Sequence, residues 1–238
     1  MKKYIKRINI SIVAIAVAFL SVACSEEHDF SPTLVVSKGA KIKLFNAAPD
    51  AKKVIFNFNG NLATRADSLG YFSVYPTTNY FSWQPGSIDI NTKDWLSELA
   101  VSNLSIQDNG YYTIGLTGVS GNYELAIIND DISSLSMEGK VYLRIANFIH
   151  DTPVSIYMEV ENSSGSIQTL SNVAFKNAST FLAVEPDVYK RIQIFNSVDD
   201  SSLGTASLSE RTLTANSIYT FYGRGSTSGS SLDRMLNR

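Results

Sequence analysis

The chain carries the same ordered blocks of sequence twice, and that limits its folds more than any other feature. Residues 42–50 read Ile-Lys-Leu-Phe-Asn-Ala-Ala-Pro-Asp and residues 143–151 read Leu-Arg-Ile-Ala-Asn-Phe-Ile-His-Asp, so that Asn46 aligns with Asn147 and Asp50 with Asp151, 101 positions apart. Val54, Phe56 and Phe58 alternate as Val154, Ile156 and Met158 do, at a spacing of 100. Val74-Tyr75-Pro76 aligns with Val184-Glu185-Pro186 at 110. Tyr112-Thr113 aligns with Tyr219-Thr220, Gly118 with Gly225 and Leu125 with Leu232, all at 107. Four blocks in one order, with offsets changing only between blocks, predict two copies of a unit of roughly 95 residues.

Each copy reads as β-structure. Apolar residues recur at every second position, β-branched and aromatic residues are frequent, and turn dipeptides punctuate the runs. Asn59-Gly60, Pro85-Gly86, Asn109-Gly110 and Ser164-Gly165 are the turn candidates. Asn-Gly is the strongest of these, because both central residues of a tight hairpin must accept positive φ. Helical periodicity is nearly absent; its best candidate is the short run from Asp94 to Leu99. The pattern predicts an all-β chain with two tandem immunoglobulin-like antiparallel β-sandwich domains, over residues 39–132 and 139–238. An acidic, Ser-rich join lies between them.

The N-terminus reads as an address. Lys2, Lys3, Lys6 and Arg7 precede a mostly apolar run from Ile8 to Leu20, and Ser21-Val22-Ala23-Cys24 follows. This is the order of a secretory signal peptide, over residues 1–23, and the run is shorter than a spanning helix needs. The single Cys of the chain excludes a disulfide scaffold. Its place after small residues resembles the lipobox of bacterial lipoproteins, in which Cys24 would take lipid, palmitate included, and become the mature N-terminus. Ser21 stands where that motif usually has Leu. Ser25-Glu26-Glu27-His28-Asp29 opens a flexible acidic tether over 24–38. It resembles the surface-export signal of Bacteroidetes-type lipoproteins, which implies an outer-membrane protein facing the cell exterior. Without residues 1–23 the net charge is −6, which is unsuited to nucleic acid and leaves the lipid as the membrane attachment.

The paired positions have structural roles open to them. Asn46, Asp50, Asn147 and Asp151 can bond their own downstream backbone and hold turns. Tyr112 and Tyr219 are expected to bury their rings with the hydroxyl tied to backbone, in the manner of a tyrosine corner. Gly118 and Gly225 are expected at positive φ or at close packing.

At these blocks the chain resembles a known family. Asn-Ala-Ala-Pro-Asp-Ala at 46–51, Val-Ile-Phe-Asn-Phe-Asn-Gly at 54–60 and the Tyr-Thr-x4-Gly endings at Tyr112–Gly118 and Tyr219–Gly225 resemble the bacterial secreted domain of unknown function 4397. The resemblance extends over nearly all of residues 40–238. It implies immunoglobulin-like sandwiches at bacterial envelopes, and no catalytic residues come with it. His150 stands in the second copy where the first has Pro49, and the family's Gly is missing two residues after Pro76 and Pro186.

No catalytic constellation is visible. His28 lies in the tether, His150 in a turn, and no metalloprotease, nucleophile-elbow or phosphate-loop motif is present. Residues 223–229, glycine-rich, read as a flexible loop. Asp130-Asp131 and Asp199-Asp200 read as solvated turns, with a weak calcium site near the latter as the alternative. No cofactor and no other metal site are implied. Tyr71, Tyr75, Tyr80, Trp83 and Trp95 make the first copy richer in aromatics than the second, and they are the candidate contacts for a protein or glycan ligand. The reading is a lipid-anchored, non-enzymatic binding or adhesion module of the cell envelope. Its alternatives are an accessory glycan-binding subunit of a polysaccharide-uptake complex and a fimbrial subunit.

Overall fold

The computed structural model describes residues 39–64, 68–151 and 155–238, and these are all-β, without a helix. The expected signal peptide, Cys24 and the tether lie outside the described residues, as does Val154. The first half contains β1 (Ala40–Asn46), β2 (Ile55–Phe58), β3 (Asn61–Leu62), β4 (Val74–Tyr75), β5 (Phe81–Trp83), β6 (Gly86–Lys93), β7 (Glu98–Ile106), β8 (Tyr111–Thr117) and β9 (Glu124–Asn129). The second contains β10 (Val141–Ile149), β11 (Ile156–Glu161), β12 (Ile167–Val173), β13 (Leu182–Val184), β14 (Asp187–Val188), β15 (Arg191–Asn196), β16 (Ser202–Thr205), β17 (Thr212–Leu213), β18 (Ser217–Gly225) and β19 (Ser231–Leu236). Among the described residues no ladder joins a strand of one half to a strand of the other.

Four main sheets stack as layers. The outer sheet β3-β2-β6-β7 packs on the inner sheet β4-β1-β8-β9, to which β5 adds beside β1. Ile42, Leu44, Phe56, Phe58, Ile88, Ile90 and Ile114 fill the space between them. The inner sheet β13-β10-β18-β19 packs on the outer sheet β12-β11-β15-β16 around Leu143, Ile145, Met158, Ile192, Ile194 and Phe221. The two inner sheets pack on each other through Phe45, Ala126, Ile128, Ala146, Phe148, Tyr222 and Met235. Inner sheets buried on both faces lose the clean alternation of a half-exposed strand.

The sandwiches are not purely antiparallel. β1 pairs parallel with β8, and β10 pairs parallel with β18. The chain leaves β1, passes through the outer sheet, and returns to β1's flank in the same direction, a path that parallel neighbours require. The registers of the halves correspond. Ala40 faces Trp83 as Val141 faces Val184, Lys41 faces Tyr111 as Tyr142 faces Ile218, and Tyr112 faces Asn129 as Tyr219 faces Leu236. This ladder corrects one block of the sequence alignment. Val184 occupies the place of Trp83, so Pro186 corresponds to Pro85 and not to Pro76.

The parallel pairing also decides what the paired polar residues do. Asn46 Nδ2 donates to the Ala51 carbonyl at 2.7 Å while Ala48 N donates to Asn46 Oδ1; Asn147 Nδ2 donates to the Val173 carbonyl while Ile149 N donates to Asn147 Oδ1. Asp50 and Asp151 each reach across to a second turn. Asp50 accepts from Ser120 N at 2.7 Å and Tyr123 OH at 2.9 Å, and Asp151 accepts from Thr227 N at 2.8 Å. Because β1 and β8 run parallel, the turn after β1 lies beside the β8–β9 turn, and the carboxylate spans the gap. Gly118 and Gly225 sit in those far turns at φ of +92°; a Cβ would meet the Asn122 carbonyl oxygen at 2.2 Å and that of Gly229 at 2.6 Å. Tyr112 OH accepts from Gln107 N at 3.0 Å, and Tyr219 OH bonds the Thr214 hydroxyl at 2.8 Å and the Thr214 backbone as well.

Between the inner sheets lies a buried polar network with approximate twofold symmetry. Lys43 and Arg144 hold corresponding positions and reach into opposite halves: Lys43 Nζ donates to the Leu236 carbonyl at 2.7 Å, and Arg144 Nη1 donates to the Asn129 carbonyl at 3.4 Å. Arg144 pairs with Asp130, which also accepts from Tyr80 OH and Thr113 Oγ1, each at 2.7 Å. Asn237 corresponds to Asp130; it accepts from Thr220 Oγ1 at 2.8 Å and donates to Tyr80 OH at 2.6 Å. Lys43 lies over the Tyr80 ring and Arg144 over the Phe181 ring, at 5.2 and 4.6 Å. Reciprocal contacts of this kind characterise an isologous interface. Asp130 supplies the only carboxylate of this set.

Candidate functional site

The aromatic residues singled out from the sequence are scattered by the fold. Tyr75 and Trp83 pack on the first core; Trp83 stands edge-on to Phe58 at 5.1 Å and Tyr75 lies 5.6 Å from Phe81. The Tyr80 hydroxyl belongs to the interface network, and burial first, then the Asp130 charge, raise its pKa far above the ordinary phenol value. Tyr71 lies 5.3 Å from the Arg224 guanidinium. Trp95 alone stands open, 72% exposed, beside Leu96 at 95%.

The presentation of Trp95 has a local cause. No helix forms over Asp94–Leu99. Asp94 Oδ1 accepts from Leu96 N and Ser97 N, both at 2.7 Å, Asp94 N donates to the Ser97 carbonyl, and the chain turns at once into β7. An Asx side chain that satisfies two successive N–H groups competes with helix formation. The backbone hydrogen bond from Leu96, and next that from Ser97, hold the Asp94 carboxyl below its usual range. The pinned turn thus carries two large apolar side chains outward. A cavity of about 370 Å³ beside it is lined by Trp95 and Leu96 with Ile55, Lys93, Asp94, Ser97 and Glu98. A second groove, of about 450 Å³, runs between β7 and β9 along Glu98–Ser102 and Tyr123–Leu125.

Ile55 and Lys93 face each other across the ladder and belong to the outward face of the outer sheet. Leu62, Asn57, Asn91 and Val101 form the neighbouring row across its four strands, and Asp89 with Asn103 forms the row after that. Asn103 Nδ2 donates to Asp89 Oδ1 at 2.6 Å and to Ser87 Oγ at 3.1 Å, and Asn91 bonds Glu98. Sequence reasoning missed this face. Its signal is the run of Asn and Asp at alternate positions of strands that otherwise hold Ile and Phe.

The described residues bring together no catalytic pair from the acidic dipeptides. Asp130 is committed to the interface, Asp131 is exposed, Asp199 accepts from Ser201 and Asp200 from Tyr157 OH. Among the described residues no group of three or more His, Cys, Asp or Glu could hold a metal ion. The glycine-rich stretch at 223–229 is not a free loop: β18 runs through Gly225, Gly223 lets Ile194 approach, and Thr227 is held by Asp151. No helix among the described residues is long and apolar enough to cross a membrane.

Residues 40–157 match the family described as Domain of unknown function (DUF4397). No curated relative matches the chain. Solved structures with likeness include a candidate cell adhesion protein from Bacteroides uniformis, 9% identical, covering 82% of this chain and 96% of that one at a TM-score of 0.31. Another is CBMbc, of family CBM26, from Eubacterium rectale Amy13K in complex with maltoheptaose, 8% identical, covering 82% and 95% at a TM-score of 0.26. A candidate adhesin from Bacteroides ovatus is 8% identical, covering 76% and 87% at 0.21. Likeness at this level carries no argument about activity or ligand.

Proposed function

We propose that the chain is a non-catalytic binding module of the bacterial cell envelope, anchored by lipid on Cys24 to the outer membrane and facing outward. Two copies of one sandwich unit, residues 39–132 and 139–238, form its body. The first copy presents the contact surface. The order of basic, apolar and small residues before the single Cys supports the anchor, and the corresponding ladder registers support the duplication.

The observation that carries the binding reading is the Trp95–Leu96 pair. Large apolar side chains held open on a hydrogen-bonded turn are an unfavourable surface for water and a favourable anchor for a partner. The described residues leave both side chains mostly uncovered, so packing among them does not account for the pair. The test is saturable binding of the labelled full chain to fixed cells and to extracted envelope material. Saturable binding that is lost in Trp95→Ser/Leu96→Ser supports the reading, and binding unchanged by that substitution contradicts it.

A further inference from the structure

The outward face of β2, β6 and β7 departs from the rule that shapes the other strands. Asn and Asp are poor strand formers. Yet Asn57, Asp89, Asn91 and Asn103 occupy neighbouring outward positions on three adjacent strands. The outer sheet of the second half shows the ordinary solution. There Arg191 pairs with Glu159 and Glu161 at 3.1 and 3.4 Å, and the Tyr157 and Phe195 rings stack at 5.1 Å, so long side chains cover the sheet. The first half has short amides instead. Positions that surrender local propensity without a packing gain are where function is expected.

We propose that this face, with Trp95 at its end, binds a neutral carbohydrate; the proposal rests on reading the chain as a binding module. A sugar offers neighbouring hydroxyls, each both donor and acceptor, and an apolar C–H face. A carboxamide presents an acceptor and two donors in one plane, and a carboxylate presents two acceptors. Asn57, Asn91, Asn103 and Asp89 are therefore matched to hydroxyl pairs. Asn103 and Asn91 are already held by Asp89, Ser87 and Glu98, so less side-chain freedom is lost on binding. Leu62 and Val101, 47% and 62% exposed, flank the amides, and the Trp95 indole supplies a flat surface for the C–H face. Asp89, Asp94 and Glu98 outweigh Lys93 at this face, which disfavours phosphorylated or acidic ligands and points to a neutral one. From Ser87 to Lys93 the face runs about 20 Å at 3.3–3.4 Å per residue, a length suited to an oligosaccharide rather than a single sugar.

The experiment titrates the full chain against neutral glucan, mannan and galactan oligosaccharides, beside Asn57→Thr/Asn91→Thr/Asn103→Thr. Threonine restores strand propensity and cannot present a carboxamide. The expected result is saturable binding of at least one oligosaccharide. The triple variant should bind it at least tenfold more weakly, with a melting temperature equal to or above that of the original. Trp95→Ala should weaken binding likewise without moving the melting temperature. A chain that binds none of the oligosaccharides, or a triple variant that binds as well as the original, overturns the proposal. If no sugar binds but attachment to cells persists and depends on Trp95, the carbohydrate is wrong and the binding module stands; if neither is seen, both fall.

Discussion

Replacing Asp130 with Asn removes one charge from the middle of the molecule and almost no volume. Asp130 is 1% exposed and accepts from Arg144, Tyr80 and Thr113. Arg144, whose side chain is also sealed from solvent, would keep its charge and lose its counter-ion. Lys43 would lose the nearby anion that partly offsets its desolvation. Breaking a buried ion pair from one side costs about 3–5 kcal/mol, because the remaining charge stays buried and uncompensated. For a domain of 150–250 residues about 1 kcal/mol moves the melting temperature by about 2–4 °C, so a fall of roughly 6–20 °C is expected. Differential scanning calorimetry at pH 7 reads this directly. Glu185→Gln is the control, since it breaks the exposed Lys140–Glu185 pair and should cost no more than about 1 kcal/mol. Asp130→Asn/Arg144→Met should recover much of the loss, because neutral groups then replace both charges. An Asp130→Asn melting temperature indistinguishable from that of the control refutes the reasoning.

Other perturbations test other parts of the account. Burial lowers the Lys43 pKa from 10.5 to about 8, so the unfolded chain binds more protons than the folded one between those values. Stability should therefore rise with pH across that window, by up to about 3 kcal/mol, and Lys43→Met should abolish the rise in pH-dependent denaturation. Burial raises the phenols of Tyr80 and Tyr222, and that of Tyr123 to about 12, so the folded form holds protons the unfolded form has released and stability should fall again above about pH 10. Gly118→Ala should destabilise by about 1–3 kcal/mol or more, through strained φ and the Asn122 carbonyl. Gly121→Ala has the same sign of φ but open space around it and should cost less by urea denaturation. Trp95→Ser/Leu96→Ser should leave stability within about 0.5 kcal/mol in the same assay, as surface positions do. Cys24→Ala should abolish labelling of the chain by a palmitate analogue in cells, whereas persistent labelling contradicts the anchor.

What could be read in the sequence divides along physical lines. The Asn59-Gly60 hairpin was legible because its chemistry is local: both residues take positive φ, 50° and 77°. Asn109-Gly110 shows the limit of the same rule. Only Asn109 takes positive φ, and the glycine is there because a Cβ would meet the Tyr112 ring at 2.8 Å. The parallel pairing of β1 with β8 left no local mark, so the reach of Asp50 to Ser120 could not be foreseen. Lys43 and Arg144 are buried because the stacking of the inner sheets turns their strand face into an interior, which no local pattern records. Four of the five candidate aromatics pack against the body of the protein, because aromatic richness alone does not separate core from surface. The amide face was hidden for the converse reason: polar residues on an outward strand face look like ordinary solvation until the ladder shows them side by side.

The most direct measurement is photo-cross-linking on intact cells from a photoreactive residue placed at position 95, with one at position 208 as the control. Leu208 is also exposed at 72% but belongs to the second half. The expected result is an adduct from position 95, of glycan or protein, that is absent from position 208. Adducts in equal yield from both positions, or none from position 95 on cells that bind the protein, would contradict it.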